Sequence, residues 1–142
     1  MATSNAATTY LENKLLSFLF KNNAGSLSTP GDSIYVGLAT AVSDAEAGSL
    51  TEATFGSYAR QQVTAANWTL ASSSADQQTV TNAANIEFPA STGTSNTITH
   101  AFLVDAASSG NILFVGALDA NKTIATGDIF RINASNLTIE LK

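Results

Sequence analysis

Most of this chain alternates apolar and polar or small residues with a period of two, and this pattern constrains its fold more than any other feature. Roughly seven or eight such segments recur every 8 to 12 residues, with turn residues between them, as in a β-sandwich or β-barrel. Too few helical segments are present to connect parallel strands, which excludes an α/β fold. We therefore predict an all-β fold: an antiparallel, jelly-roll-like β-sandwich of about 7–8 short strands with one N-terminal helix.

The strand pattern is clearest in the last third of the chain, where a Ser-Ser-Gly-Asn turn at residues 108–111 separates two alternating segments. Residues 41–56 lack alternation, and their length and two glycines predict a long loop. The predicted strands span residues 33–39, 58–66, 79–88, 97–104, 112–118, 128–134 and 136–142.

One amphipathic helix is predicted over residues 9–21. Thr9 and Glu12 match a capping box, and apolar residues follow at three- and four-residue spacing. A helix of about three turns with so much apolar surface is not stable alone in water. We therefore expect it to pack on a sheet or on a neighbouring subunit.

The chain has 142 residues, which is the size of one domain. Residues 1–7 are small and polar and are predicted to form a flexible N-terminal arm. Residues 8–142 are predicted to form the single β-sandwich domain with its N-terminal helix.

Charge and cysteine content exclude several classes of partner and site. Only 12% of the residues are charged, the net charge is −5 and there are 0 Cys, so we expect no nucleic-acid partner and no thiolate metal site. No apolar stretch approaches the roughly 20 residues of a membrane span, and the N-terminus lacks a signal-peptide pattern. We expect no membrane partner and no export.

No residue pattern predicts catalysis, a cofactor or a metal. His100 is the only histidine and lies within a predicted strand, which favours a packing role. Asp44, Glu46 and Glu52 have the oxygen ligands that Ca²⁺ prefers, but their spacing matches no EF-hand, and a solvated loop explains them better. We predict that the protein is not an enzyme and has no cofactor.

The remaining candidates are one cation and three aromatic residues. Arg60 is one of few basic residues and is a candidate for a buried or interfacial ion pair. Tyr35, Tyr58 and Trp68 are of the type that stacks on sugars, although their place in or beside strands favours packing in the core.

Seven stretches, which together extend over nearly the whole chain, carry a family resemblance: YLENKLL (10–16), IYVGL (34–38), GSYARQ (56–61), NIEFP (85–89), THAF (99–102), GNILF (110–114) and TGDIF (126–130). In their order they resemble a family of small tailed-phage virion proteins labelled tail fibre protein or capsid decoration (cement) protein.

The resemblance implies a virion structural protein that is made in the host cytoplasm. The leading hypothesis is a capsid decoration protein on the capsid surface, a homo-oligomer, most simply a homotrimer, that binds the major capsid protein lattice and stabilises the head. The alternative is a tail-associated fibre or receptor-binding module that recognises a host surface glycan. The candidate interface residues are Met1, Ala2, Thr3, Ser4, Asn5, Leu15, Phe18, Leu19, Asp44, Glu46, Glu52 and Arg60.

Overall fold

The fold is known from a computed structural model, in which residues 5–23, 34–72 and 78–141 are described. Within these residues, eleven strands and one α-helix form an all-β structure in which every strand pair is antiparallel, which confirms the predicted fold class. The elements are β1 (Ala6–Ala7), α1 (Thr9–Phe20), β2 (Ile34–Asp44), β3 (Ser49–Glu52), β4 (Gln61–Val63), a 3-10 helix (Ala65–Asn67), β5 (Trp68–Ser72), β6 (Gln78–Asn82), β7 (Ile86–Glu87), β8 (Asn96–Val104), β9 (Ile112–Ile124), β10 (Arg131–Ile132) and β11 (Thr138–Leu141).

The strands belong to one large sheet and two small ones. The large sheet has the order β1-β9-β8-β2-β3, and β4 pairs with the first residues of β2. The small sheets are β11-β6-β5 and the pair β10-β7. The central strands β2, β8 and β9 account for most of the pairing, because they are the three longest of the described strands.

Two apolar clusters lie on opposite faces of the large sheet. The larger cluster combines sheet residues such as Leu38 and Leu103 with Phe88 and Ile132 from the segments of the smaller sheets. The smaller cluster is built around Phe102, Val104 and Val115. The sheet is therefore buried on both faces in its centre, which explains why its central strands are apolar on both sides.

Gly37 lies directly opposite Phe102 in the register of β2 and β8. A Cβ atom at this position would come within 2.7 Å of Cε1 of the Phe102 ring. Because the ring is buried, it occupies the space that a side chain at position 37 would need.

The helix α1 begins at Thr9, as predicted, but its N-cap is Thr8 and not Thr9. The Thr8 hydroxyl accepts a hydrogen bond from the Leu11 N–H and donates one of 2.6 Å to the Ile112 carbonyl. The Thr8 N–H also donates to the Leu113 carbonyl, so the end of β1 and the cap of α1 are fixed on β9 together. The helix ends at Phe20, and Ala6–Ala7, within the predicted arm, form β1.

The predicted loop over residues 41–56 is wrong. The segment contains the end of β2 and all of β3, which form a hairpin. Asp44 Oδ1 accepts hydrogen bonds from the backbone N–H groups of Glu46 and Ala47, and Gly48 has a positive φ, so the turn is built from local polar contacts. Irregularities in the register of β2 and β3 break the simple alternation, which hides the hairpin in the sequence.

The predicted strand at 79–88 is divided into β6 and β7 at Asn82. The Asn82 side chain is buried, and it donates to the carbonyls of Ala84 and Asn133 and accepts from the Leu137 N–H. One local and two long-range hydrogen bonds of this side chain therefore take the place of strand pairing where the chain turns. The predicted strands at 58–66, 128–134 and 136–142 are likewise shorter in the structure, as β4, β10 and β11, whereas 112–118 extends to residue 124 as β9.

Candidate functional site

The helix α1 exposes large apolar side chains. Leu11, Lys14 and Ser17 are half-buried at three-residue spacing, so they mark the side that faces the rest of the chain. None of the helix residues is fully buried. Its outward side carries the exposed side chains of Leu15, Leu16, Leu19 and Phe20, which we call the outer face of α1.

A groove opens between the large sheet and the sheet of β11. Its base includes the buried residues Val36 and Leu103, which connect it to the larger apolar cluster. Its apolar walls are partly buried side chains from β9 and from residues 137–139, and its volume is about 840 Å³. We define the sheet groove by its four wall residues: Phe114, Leu118, Leu137 and Ile139.

Of the candidate interface residues, three lie together on α1: Leu15, Phe18 and Leu19 are all exposed there. Asn5 lies beside the sheet groove, where its Oδ1 accepts a hydrogen bond from the Ala117 N–H. Met1, Ala2, Thr3 and Ser4 lie outside the described residues. The sequence reasoning missed the sheet groove, although the alternation of Leu137 and Ile139 signalled that this face of the segment is apolar.

Glu52 and Arg60 form an ion pair within the chain. Arg60 Nε and Nη2 donate to the two carboxylate oxygens of Glu52, each at 2.8 Å. Arg60 Nη1 donates to the carbonyls of Ala106 and Ser109, and its guanidinium lies 5.4 Å from the centre of the Phe102 ring. Arg60 therefore connects the end of β3 to the turn between β8 and β9.

Tyr58 extends this network into the core. Its hydroxyl donates to Glu52 and accepts from the Leu38 N–H, and its ring packs between Phe55 and Phe88. Burial raises the pKa of Tyr58, and the carboxylate of Glu52 raises it further. The phenol therefore stays protonated and available as a donor.

The pKa values of the ion pair follow from its surroundings. Partial burial acts to raise the pKa of Glu52, but hydrogen bonds from Arg60 and Tyr58 and the charge of Arg60 outweigh it and lower this pKa. The hydrogen bonds to Glu52 raise the pKa of Arg60. Both groups are therefore ionised, and the network is suited to holding the β3 end and the turn in place.

The structure separates the three acidic residues considered as calcium ligands. Asp44 binds backbone N–H groups of its own turn, and Glu52 binds Arg60. Glu46 is exposed, and its carbonyl accepts from the Thr9 N–H at the start of α1. Within residues 5–23, 34–72 and 78–141, no group of three potential ligands is arranged to hold a metal ion.

The aromatic residues considered for sugar stacking do not form one platform. Tyr58 and Trp68 pack against the larger apolar cluster, whereas Tyr35 packs against the smaller one. A separate polar cleft of about 250 Å³ lies between β4 and the segment that leads into β7. Its polar lining residues are Gln61, Gln62, Asn67, Asn85 and Glu87.

His100 lies in the middle of β8, opposite Ala39 and Ala117. Its Nδ1 is 2.7 Å from the hydroxyl of Thr99, the preceding residue.

No helix in the described part of the chain is long and apolar enough to cross a membrane.

These features define an antiparallel all-β protein with an exposed apolar helix and an apolar groove. The chain matches the family described as "Podophage GP4 fiber I protein gp80" over residues 6–140, and it belongs to this family. No curated protein matches the chain. The resemblance to small tailed-phage virion proteins is confirmed, and the protein is a virion-associated phage structural protein.

Proposed function

We propose that the protein is a component of a tail-associated fibre. The observation that carries this proposal is the family match, which extends over 135 residues (6–140) and whose description is that of a fiber protein. The match supports the fibre alternative better than the capsid decoration hypothesis. The proposed role is structural, and it depends on binding other chains rather than on catalysis.

The proposal includes assembly of the chain with copies of itself, most simply as a homotrimer. The support is the exposed apolar side of α1, because large apolar side chains at the surface of a soluble domain commonly mark a protein interface. Light scattering after size-exclusion chromatography should give a mass of about three times the 14.6 kDa chain. A mass of one chain at micromolar concentration would contradict this part of the proposal.

The position in the virion is tested by electron microscopy. We expect density for the protein at the tail, in a small number of copies per particle. Hundreds of copies on the capsid surface, in contact with the major capsid protein, would instead support the capsid decoration hypothesis. Labelling of a tagged protein on intact particles gives an independent measurement of the same position.

A second candidate function, recognition of a host surface glycan, is favoured by the polar cleft. Amide and carboxylate side chains can hydrogen-bond to several sugar hydroxyls at once. We expect binding on a glycan array to be lost in Gln62→Ala, at the cleft, and kept in Thr51→Ala, on β3. Equal binding by both variants would place glycan recognition elsewhere, and no binding by the native protein would remove this function.

A further inference from the structure

The polar cleft is built from two short chain segments that are held together. One side is formed by β4 and the 3-10 helix, and the other by residues 84–87. The Ala83 N–H donates to the Asn67 carbonyl at 2.8 Å, which joins the two sides. Val63 and Ile86 line the cleft and are buried in the larger apolar cluster, so they form its base. The cleft is therefore a preformed site with an apolar base and polar edges.

Two amide side chains at the cleft have a fixed orientation. Gln61 Nε2 donates to the Ala59 carbonyl at 2.7 Å, so Gln61 Oε1 is the end left to accept from a ligand. Asn85 Oδ1 accepts from the Ala134 N–H at 2.9 Å, so Asn85 Nδ2 is the end left to donate. The backbone partners fix which end is which, because a carbonyl can only accept and an N–H can only donate. These two amides therefore offer a ligand one acceptor and one donor.

Glu87 adds a second acceptor to the cleft. It lies opposite Arg131 in the register of β7 and β10, and Arg131 directs both Nε and Nη2 to the same carboxylate oxygen, Oε2. Glu87 Oε1 is therefore left for a ligand. No Lys or Arg lines the cleft in the part of the chain that the structure describes. The oriented groups are thus two acceptors and one donor, with no cation among them.

We propose that the polar cleft binds one neutral sugar residue through its hydroxyl groups and discriminates against acidic sugars. This inference rests on the proposed recognition of a host surface glycan and names the class of sugar. A hydroxyl both donates and accepts, so neighbouring sugar hydroxyls can bond to two acceptors and one donor together.

The size of the cleft fits one sugar residue. Its volume of about 250 Å³ exceeds the ~150 Å³ of a protein cavity that holds one benzene ring. It is below the about 300 Å³ at which pockets for drug-sized ligands begin. A single six-membered ring with its hydroxyl groups is therefore a better match than a longer stretch of glycan.

An acidic sugar does not match this arrangement. Its carboxylate can only accept hydrogen bonds, so it would face Gln61 Oε1 and Glu87 Oε1 with no proton between the oxygens. The net charge of −5 on the chain also acts against the approach of an anion. Because like charges that meet at an interface oppose binding, we expect an acidic sugar to bind at least about tenfold more weakly than its neutral counterpart.

Matched pairs of sugars test this inference. The methyl glycosides of glucose and galactose differ from those of glucuronic and galacturonic acid only in a hydroxymethyl group that becomes a carboxylate. NMR titration of the ¹⁵N-labelled protein with each glycoside gives its dissociation constant. A glycan array that carries each glycan with and without a terminal acidic sugar extends the comparison to other sugars.

The substitution Glu87→Gln assigns the preference to the cleft. It removes the negative charge at the cleft and releases Arg131 from its ion pair, so we expect a smaller preference for neutral sugars. Glu87 is exposed, and the variant should fold as the native protein does, which circular dichroism checks. Glu12→Gln is the matched control, because it removes the same charge from an exposed position on α1 and should keep the native preference.

The possible results separate the class of sugar from glycan recognition itself. Equal or tighter binding of the acidic sugars by the native protein would overturn the proposed class while glycan recognition stands. A preference for neutral sugars that is unchanged in Glu87→Gln would overturn the assignment to this cleft. No binding to any glycoside or to the array would overturn both this inference and the glycan-recognition function.

Discussion

The substitution Leu19→Asp separates assembly from folding. Because 59% of Leu19 is exposed, the side chain contributes little to the stability of a single chain. Most surface substitutions change the free energy of unfolding by no more than about 0.5 kcal/mol. We therefore expect the variant to fold with a near-native circular dichroism spectrum.

The same substitution should strongly weaken assembly. Fully burying a Leu side chain stabilises by about 1.5–3 kcal/mol, so burying the exposed part of Leu19 contributes ~1–2 kcal/mol to each contact. A carboxylate in the same apolar site adds the cost of an unpaired charge, which brings the loss to at least ~3 kcal/mol per contact. This loss corresponds to a dissociation constant about 100-fold higher.

The assay is light scattering over a concentration series, together with thermal unfolding of the dilute protein. Asn13→Asp is the matched control, because it adds the same charge to an exposed polar position of α1. We expect Asn13→Asp to assemble as the native protein does. Native assembly by Leu19→Asp would refute the reasoning, and so would a variant that fails to fold as a single chain.

Substitutions at three further positions test the fold. Gly37→Ala should lower the stability to urea by about 1–3 kcal/mol, because the buried Phe102 ring must move; an unchanged midpoint would show that the ring has room. Thr8→Val should lower stability by ~1–2 kcal/mol and reduce helical ellipticity, whereas Thr8→Ser should keep both, since only the hydroxyl caps the helix; equal loss in the two would contradict the cap. Because the pKa of Glu52 is lowered in the folded chain, its contribution is present above about pH 4.5 and is lost as the pH falls through the lowered pKa. Glu52→Gln should therefore show a smaller drop in melting temperature on acidification than the native protein, and an equal drop would assign the acid sensitivity to other groups.

Local sequence patterns predicted the elements whose contacts are close in sequence. The three- and four-residue spacing from Leu11 to Leu19 predicted α1, and the turn at residues 108–111 predicted the hairpin of β8 and β9. These predictions are confirmed because helix caps, alternation and turn residues act within a few positions of one another.

The predictions that are wrong depend on distant partners. The hairpin of β2 and β3 was missed because Val42 and Leu50 lie next to register irregularities, and their packing against the smaller apolar cluster appears only in the folded chain. The break at Asn82 was missed because its hydrogen bonds reach residues 133 and 137. No sequence pattern marks such bonds in advance.

The candidate site was partly predictable. Arg60 was expected to form an ion pair, and the structure identifies Glu52 as its partner within the chain. Leu15, Phe18 and Leu19 remain predicted interface residues, as do Asp44, Glu46, Glu52 and Arg60. Because the ion pair already engages Glu52 and Arg60, the exposed apolar residues of α1 are better placed to bind another copy.

By itself, the sequence determined that the chain is an all-β protein with one apolar helix, because hydrophobic period and turn chemistry act locally. Only the tertiary structure decided which side of that helix is covered. The chain packs Leu11, Lys14 and Ser17 toward its own residues and directs Leu16 and Phe20 to the surface. The physical reason is that burial depends on the position of the helix on the sheet, and this position is set by the bonds from Thr8 to residues 112 and 113 on a distant strand.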